Sequence, residues 1–226
     1  MRFRDRAEAG QFLARDLMSL RDSAELIVLA LPRGGVPVGF EIARALQAPL
    51  EVFVVRKLGL PGQEELAMGA VASGGVRVLN PEVVSALGRF ATDAIERVTH
   101  QEQEELRRRE EQYRGARPFP ELKGRTVILV DDGLATGATM RAAARAVRAR
   151  EPARLIIAVP VAPESSFREM RTEADEVVCA LTPGSFFGIS QFYEDFRQTS
   201  DDEVRELLAL DLEGRALFRP DESEGQ

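Results

Sequence analysis

The sequence contains no tryptophan, one cysteine and one histidine among its 226 residues. Because Cys179 is alone, an internal disulfide is excluded, and its apolar neighbours predict a small core residue instead of a nucleophile. Because His100 is alone, metal sites built on several histidines are excluded, and a Ser-His triad within the chain would have to use that residue. Any chemistry of this chain therefore depends mainly on other side chains.

Long apolar runs and a strong excess of basic residues are also missing. No stretch approaches the roughly 18 consecutive apolar residues of a membrane-spanning helix, and the first residues lack the apolar region of a signal peptide. The formal net charge is -7, and no block of Lys and Arg stands apart from acidic residues. This charge pattern argues against nucleic acid as the main partner. We expect a cytoplasmic protein that does not associate with a membrane.

The apolar patterning predicts strands that alternate with helices. Strands are predicted at 25–31, 50–55, 67–72, 76–79, 126–130, 155–161 and 176–181. Helices are predicted at 5–20 with Asp5 as N-cap, at 37–46, after the 126–130 strand, near 165–173 and near 201–210. This order is typical of an α/β fold in which helices flank a mostly parallel central sheet.

The same patterning predicts a core and two additions to it. The core is expected to span 1–181, with an insert at about 81–116 that forms a helical pair or one bent helix. The second half of the insert is highly charged, which predicts a solvated face or the contact of a homodimer. Residues 182–226 do not continue the alternation, so we expect a small C-terminal lobe whose last seven or so residues are disordered.

The segment 127–139, Val-Ile-Leu-Val-Asp-Asp-Gly-Leu-Ala-Thr-Gly-Ala-Thr, is the most informative part of the sequence. A buried strand that stops at Asp131 and Asp132 presents both acids at the carboxyl edge of the sheet, where open α/β sheets bind ligands. The following loop supplies backbone N–H groups, two hydroxyls and the start of a helix, all of which suit a phosphate. Acids for hydroxyls or a metal, next to a pocket for an anion, indicate a sugar phosphate as ligand.

This segment resembles the signature of the type I phosphoribosyltransferases, which bind 5-phosphoribosyl-1-diphosphate (PRPP), and the resemblance spans most of the chain. It implies that Asp131 and Asp132 contact the ribose hydroxyls, directly or through a Mg²⁺ ion shared with the diphosphate. It also implies a loop around the 5-phosphate that consists of Ala135, Thr136, Gly137, Ala138 and Thr139.

Two more segments are predicted to lie at the same edge of the sheet. Pro32-Arg33-Gly34-Gly35 resembles the family's diphosphate loop, although taken alone it also suits an ordinary strand-to-helix turn. Lys57 follows the second strand, where the family uses a basic residue to contact the diphosphate; the alternative is a solvated basic residue. In the next loop, 59–65, which would close over the reacting centre, Glu64 and Glu65 are expected to face solvent, and a contact with the incoming base is the alternative.

The implied reaction is displacement of diphosphate from PRPP by a ring nitrogen of a base, assisted by Mg²⁺, through an oxocarbenium-like transition state. Ala135 argues against a 6-oxopurine acceptor, because members that act on these bases commonly carry an aspartate at that position. The C-terminal lobe would form a hood over the base. Its aromatic residues are expected to form the lobe's core, and stacking on the base is the alternative: Phe186, Phe187, Phe192, Tyr193 and Phe196.

Two other functions fit parts of this pattern. Some proteins of this fold sense PRPP without catalysis, but the intact Arg33-Gly34-Gly35 segment favours catalysis. Haloacid dehalogenase-like phosphatases and response-regulator receivers also end a strand in acids. The phosphatases require Asp-x-Asp-Gly-Thr, and the separate acids and the late lysine of a receiver are not found in the corresponding strands. We therefore expect a phosphoribosyltransferase, with a PRPP sensor as the alternative.

Overall fold

The computed structural model describes residues 1–21, 23, 25–61, 63–87 and 91–217, with the side chains of all of these except 63–66, 87, 91, 94 and 215–217. The strands are β1 (Leu26–Ala30), β2 (Leu50–Val52), β3 (Val55–Leu60), β4 (Gln63–Ala72), β5 (Val76–Leu79), β6 (Thr126–Val130), β7 (Arg154–Val161) and β8 (Glu176–Leu181). The α-helices are α1 (Arg6–Asp16), α2 (Gly35–Leu46), α3 (Pro81–Leu87), α4 (Ala91–Arg114), α5 (Ala138–Arg148), α6 (Glu164–Met170) and α7 (Asp201–Leu217).

Five of the strands form a parallel sheet in the order β2-β1-β6-β7-β8. In this sheet β1 and β6 are direct neighbours, and their last residues, Ala30 and Val130, are paired in register. The chain therefore leaves both strands at the same level, with the 31–35 segment on one side and Asp131 on the other. This alignment brings the two predicted motifs to one edge, and it confirms the predicted mostly parallel fold.

Both faces of the sheet are covered, which explains why its inner strands are continuously apolar. Alternate residues of β1 and β6, such as Val28 and Ile128, pack in one cluster with residues of α1, α2 and α7. The intervening residues, such as Leu29 and Leu129, pack in a second cluster with α5. The helix predicted after β6 turns the expected face to the sheet: Met140, Ala143, Ala144 and Val147 are all buried.

The remaining strands, β3, β4 and β5, form a separate antiparallel sheet. The prediction of one strand from 50 to 55 and of a loop at 59–65 is therefore wrong. The second strand of the main sheet already ends at Val52, and the chain then forms a hairpin whose register shifts around Gly59. Pairing between strands, which a single-sequence pattern does not contain, overrides the loop-forming Gly and Pro residues at this position.

The insert contains two helices, α3 and α4, which matches the first of the two predicted alternatives; residues 88–90 lie outside the described part of the chain. Its second half is less solvated than expected, because Leu106 and Tyr113 of α4 are buried against the main core. Their spacing of seven residues gives α4 a narrow apolar stripe that its many charged residues obscure. None of the described helices is long and apolar enough to cross a membrane.

The C-terminal region contains an irregular segment at 182–200 followed by α7, which is longer than predicted. Val204 and Leu208 of α7 are buried in the same cluster as α2 and α4. The predicted boundary at 181/182 stays a prediction, and the expected disordered tail falls in 218–226, outside the described residues. On β8, Cys179 is partly buried, and burial raises the pKa of its thiol to about 11, which suits the predicted packing role.

Candidate functional site

The acid pair lies directly after β6, at the carboxyl edge of the main sheet. Asp132 is 9% exposed, and its backbone N–H donates to Oδ1 of Asp131 at 2.8 Å. Burial and the negative charge of Asp132 raise the pKa of Asp131 well above its ordinary value. Burial also raises the pKa of Asp132, and the nearby Arg6 opposes this increase. Two carboxylates thus share one poorly solvated position, which is an arrangement found most often at functional sites.

The 33–35 segment is packed against these acids. A Cβ atom placed on Gly34 would lie 2.0 Å from Oδ2 of Asp132, and one placed on Gly35 would lie 2.7 Å from the carbonyl oxygen of Val130. Both distances are far shorter than a van der Waals contact, so these positions accept only glycine without a shift of their neighbours. The structure therefore brings together the two segments that the sequence predicted at one edge, and it explains the glycines by close approach.

The predicted phosphate loop connects the acid pair to α5. Gly137 has a φ of 71° and precedes the first residue of the helix, Ala138. Thr136 and Thr139 are exposed, so their hydroxyls are accessible, and the first N–H groups of α5 lie at its positive end. A left-handed residue at this point turns the backbone so that a helix N-terminus begins directly after the acids. This geometry suits a bound phosphate.

Ser166 of α6 is a residue that the sequence analysis missed. Its Oγ donates to the carbonyl oxygen of Ala135 at 2.6 Å, and the residue is 5% exposed. The N–H of Leu134 donates to the carbonyl of Val161 at 2.8 Å, so the loop is tied to its surroundings at two neighbouring positions. Nothing in the sequence marks Ser166, because α6 lies about 30 residues beyond the loop and a serine in a short helix is common.

Arg33 reaches from the diphosphate-like segment towards the start of α7. Its Nη1 lies 4.0 Å from Oδ1 of Asp201, which also accepts a hydrogen bond from the hydroxyl of Tyr113 on α4. Burial, and then the hydrogen bond to Asp201, raise the pKa of Tyr113 to about 12, so this phenol stays protonated as the donor. Arg33 is one third exposed and only loosely paired, which leaves its guanidinium accessible to an anion.

The other three residues considered in the sequence analysis, Lys57, Glu64 and Glu65, belong to the antiparallel sheet. Lys57 is exposed and lies within β3, not in a loop, and it makes no ion pair with any of the described residues. Its neighbour Arg56 is bound to Glu102 of α4, with Nε 2.6 Å from Oε2. The backbone of Glu64 and Glu65 belongs to β4, and their side chains lie outside the described residues. A role of Lys57 at the diphosphate stays a prediction.

The acid pair fits the Mg²⁺ ion that the family resemblance implies. Asp131 forms no ion pair within the described part of the chain, and carboxylate oxygens are ligands that Mg²⁺ prefers. No group of three or more His, Cys, Asp and Glu residues able to hold a metal is present among the described residues. Among the described residues, Asp131 and Asp132 would therefore be the protein ligands, with water and substrate phosphates as the others, which is how Mg²⁺ is usually held.

The aromatic residues of the 186–196 segment fall into different environments. Tyr193 is 1% exposed, packs on Phe3 and donates its hydroxyl to the backbone carbonyl of Asp132 at 2.7 Å. Phe186 and Phe192 stack on each other with centroids 5.8 Å apart, whereas Phe187 is 94% exposed. Tyr193 thus belongs to the core of the lobe, as expected for these residues. Phe187 does not, and an exposed aromatic ring is suited to contact a ligand.

The chain is similar to known proteins over most of its length. The crystal structure of TT1426 from Thermus thermophilus has 43% sequence identity and a TM-score of 0.83, covering 92% of this chain and 98% of that chain. The proteins named "Putative phosphoribosyl transferase Rv0571c" and "Putative phosphoribosyl transferase MT0597", from two strains of Mycobacterium tuberculosis, are each 50% identical over 208 residues. These residues are 91% of this chain and 46% of theirs, so the chain spans about half the length of the curated relatives it matches.

The family model of the phosphoribosyl transferase domain matches residues 5–197. That range contains all three segments described above, from Arg33 through the acid pair to the phosphate-like loop, and it extends to the aromatic residues near Tyr193. The family match and the arrangement at the sheet edge therefore agree, and they confirm the resemblance on which the sequence analysis relied. The chain belongs to the phosphoribosyl transferase domain family.

Proposed function

We propose that the chain is a phosphoribosyltransferase that displaces diphosphate from PRPP with a nitrogenous base. One observation carries the proposal: the 33–35 segment is packed against the acid pair at one edge of the sheet, and the 135–139 loop follows the acid pair directly and leads into α5. The 135–139 loop next to two acids suits the 5-phosphate and the hydroxyls of a ribose. The 33–35 segment, which is packed against the same acids, suits an anionic group on C1 of that ribose. PRPP carries all three features.

Each segment then has a role in binding. Asp131 and Asp132 accept hydrogen bonds from the ribose hydroxyls or hold Mg²⁺, and residues 135–139 surround the 5-phosphate. The backbone of 33–35, together with Arg33, binds the diphosphate, and Lys57 of the β3 strand is a further candidate contact for it. Mg²⁺, when bound, supplies positive charge that stabilises the departing diphosphate.

The chain needs no nucleophile of its own for this reaction. The bond between C1 of the ribose and the diphosphate oxygen breaks, its electron pair leaves with the diphosphate, and the ring nitrogen of the base forms the new bond to C1. A base whose reacting ring nitrogen carries a proton releases that proton to solvent. Negative charge therefore develops near Arg33, which exchanges its loose contact with Asp201 for the leaving group. Carboxylates near the ribose favour the positive charge of an oxocarbenium-like transition state.

The acceptor is a base other than a 6-oxopurine. Ala135 has no side chain that could pair with a ring nitrogen, whereas family members acting on 6-oxopurines commonly carry an aspartate there. Phe187, which is 94% exposed, is a candidate to cover a flat ring from the side of the hood. The identity of the base is the property that this fold varies most freely, and it has to be measured.

Two experiments test the proposal. Calorimetry should detect binding of PRPP that becomes tighter with Mg²⁺, and diphosphate release from PRPP should depend on one member of a panel of adenine, uracil, orotate and nicotinate-type acids. PRPP without a base serves as the control for hydrolysis. Binding of PRPP without release for any base would support the alternative, a regulatory protein that senses PRPP. The absence of PRPP binding with and without Mg²⁺ would refute both.

Ser166→Ala should weaken PRPP binding by roughly 2- to 10-fold, which corresponds to the loss of one hydrogen bond of about 0.5–1.5 kcal/mol. The hydroxyl is bound to the carbonyl of Ala135, so its removal loosens the phosphate loop without touching the ligand. Calorimetry with PRPP measures the effect. The matched control is Ser165→Ala, an exposed position one residue earlier on the same helix. Equal affinities of both variants would contradict a role of Ser166 in the loop.

A further inference from the structure

Arg6, the first residue of α1, is bound to three other parts of the structure at once. Its Nε donates to Oδ2 of Asp132 at 2.8 Å, and its Nη1 donates to the backbone carbonyl of Arg197 at 2.7 Å. The centre of its guanidinium lies 4.0 Å from the centroid of the Phe196 ring. The guanidinium is therefore held at Nε, at Nη1 and over one face, which favours one orientation of the side chain.

The contact of Arg6 with Asp132 differs from the surface ion pairs of this chain. The side chains of Arg6 and Asp132 are 10% and 13% exposed, whereas those of Arg4 and Asp5 are 66% and 37% exposed. Exposed pairs contribute little, because water and salt screen them, whereas a buried charged pair is strongly coupled. The environment of Asp132 therefore depends on Arg6 directly.

The main chain around Asp132 is held from the same side. The hydroxyl of Tyr193 donates to its carbonyl at 2.7 Å. Tyr193 in turn pairs with Phe3 in a parallel bridge, in which the N–H of Phe3 donates to the carbonyl of Phe192 at 2.8 Å and the N–H of Glu194 donates to the carbonyl of Phe3 at 2.8 Å. Residues 3–6 and 192–197 thus pair with each other and contact Asp132, and we refer to these two segments as the strap.

The position of Arg6 is set by α1. Asp5 caps this helix by accepting a hydrogen bond from the N–H of Glu8 at 2.8 Å. Gly10 allows α1 to lie very close to α2, because a Cβ there would be 2.6 Å from the carbonyl oxygen of Val38. Since α2 starts at Gly35, in the segment packed against the acids, Arg6 is held in a fixed relation to the rest of the site.

We propose that Arg6 is a positioning residue of the ribose site. Arg6 holds Oδ2 of Asp132, so Oδ1 of Asp132 and the neighbouring Asp131 are left to interact with the ribose. Arg6 also connects the carboxylate of Asp132 to the 192–197 half of the strap. The inference rests on the proposed function, since it assumes that PRPP is the ligand. The two acids then differ: Asp132 is oriented by the protein, whereas Asp131 lacks an ion-pair partner among the described residues and is the main group for the ligand.

Calorimetry with PRPP tests this inference on the full chain. Arg6→Met should weaken PRPP binding by about 10-fold, as expected when a residue that orients a binding carboxylate is removed. Arg6→Lys should retain part of the affinity, because it keeps the charge but not the planar fork. Arg154→Met, in an exposed ion pair with Glu176 at the start of β7 and at the opposite edge of the sheet, is the matched control and should bind PRPP like the wild type. Binding of inorganic diphosphate should stay unchanged in Arg6→Met, because this ligand has no ribose.

A double-mutant cycle separates positioning from a general structural effect. If Arg6 acts through the carboxylate of Asp132, Arg6→Met should add almost nothing to the loss in PRPP affinity caused by Asp132→Asn. Additive losses, wild-type affinity of Arg6→Met, or parallel losses for PRPP and inorganic diphosphate would each overturn the inference. If the wild-type protein does not bind PRPP, the proposed function itself fails, and this result is distinct from the other three.

Discussion

Gly34→Ala is expected to lower PRPP turnover by at least about 100-fold while the protein stays folded, which is the size of effect seen when one group of a preorganised electrostatic site is lost. The new methyl group would lie 2.0 Å from Oδ2 and 2.6 Å from Cγ of Asp132. Asp132 cannot move away easily, because Arg6 holds the same Oδ2 atom. The 33–35 segment therefore has to retreat, and the diphosphate site separates from the ribose site.

Turnover of PRPP with the accepted base measures the expected loss of activity, and thermal unfolding shows whether the variant stays folded. Gly214→Ala is the control, because a Cβ on this glycine of α7 meets nothing within 4 Å. It should leave turnover unchanged, and an alanine in a helix is favoured over glycine by about 1 kcal/mol. Near-normal turnover of Gly34→Ala would show that the close packing between the two segments is not needed.

Asp131→Asn should change activity and stability in opposite directions. Under the proposed function, loss of this carboxylate removes a group for the ribose and Mg²⁺, which should reduce PRPP turnover by at least about 100-fold. The same change removes a carboxyl group whose pKa is raised by burial and by the charge of Asp132. The folded protein then no longer has to accommodate two neighbouring carboxylates. Measured near neutral pH, in EDTA and without PRPP, the variant should have a higher melting temperature than the wild type.

The sign of the pH dependence follows from the raised pKa of Asp131. The folded state binds this proton more tightly than the unfolded chain, so the wild type loses stability as the pH rises from the ordinary range of an aspartate through the raised value. In Asp131→Asn this loss should disappear, and the two melting curves should diverge as the pH increases. Asp16→Asn, at an exposed position at the end of α1, controls for a general effect of the amide. Parallel curves for the wild type and Asp131→Asn would contradict the prediction.

Asp132→Asn should show that the two acids contribute differently to stability. Its turnover should fall as in Asp131→Asn, but no gain in stability is expected. The guanidinium of Arg6, with only 10% of its side chain exposed, would lose its charged partner, and an unpaired buried charge destabilises a fold. A melting temperature of Asp132→Asn as high as that of Asp131→Asn would show that Arg6 is satisfied by its other contacts.

The motif at 127–139 was predictable because its information is local. A short apolar run ending in two acids defines both the strand and its functional edge, and Gly137 marks the start of the next helix within the same segment. The 33–35 segment could be placed at the same edge because the carboxyl ends of parallel strands share one edge of a sheet, whereas the direct pairing of β1 with β6 was not predicted.

Contacts between distant segments could not be predicted in this way. Arg6 and Asp132 are 126 residues apart, and Ser166 and Ala135 are 31 residues apart, so no periodicity connects them. The hairpin of β3 and β4 was missed for a related reason. Its stability comes from cross-strand pairing and from packing against α4 and α5, not from the Gly and Pro residues that a local pattern weighs.

The strap also has a consequence for the order in which the protein assembles. Phe3 meets Tyr193 only after about 190 intervening positions have been arranged, and loop closure over such a distance is slow compared with local helix formation. The sheet core contains its own dense apolar contacts and does not require the strap. We therefore expect refolding chains to regain their secondary structure and core before the strap contacts Asp132. The ability to bind ligand should then return later than the fold.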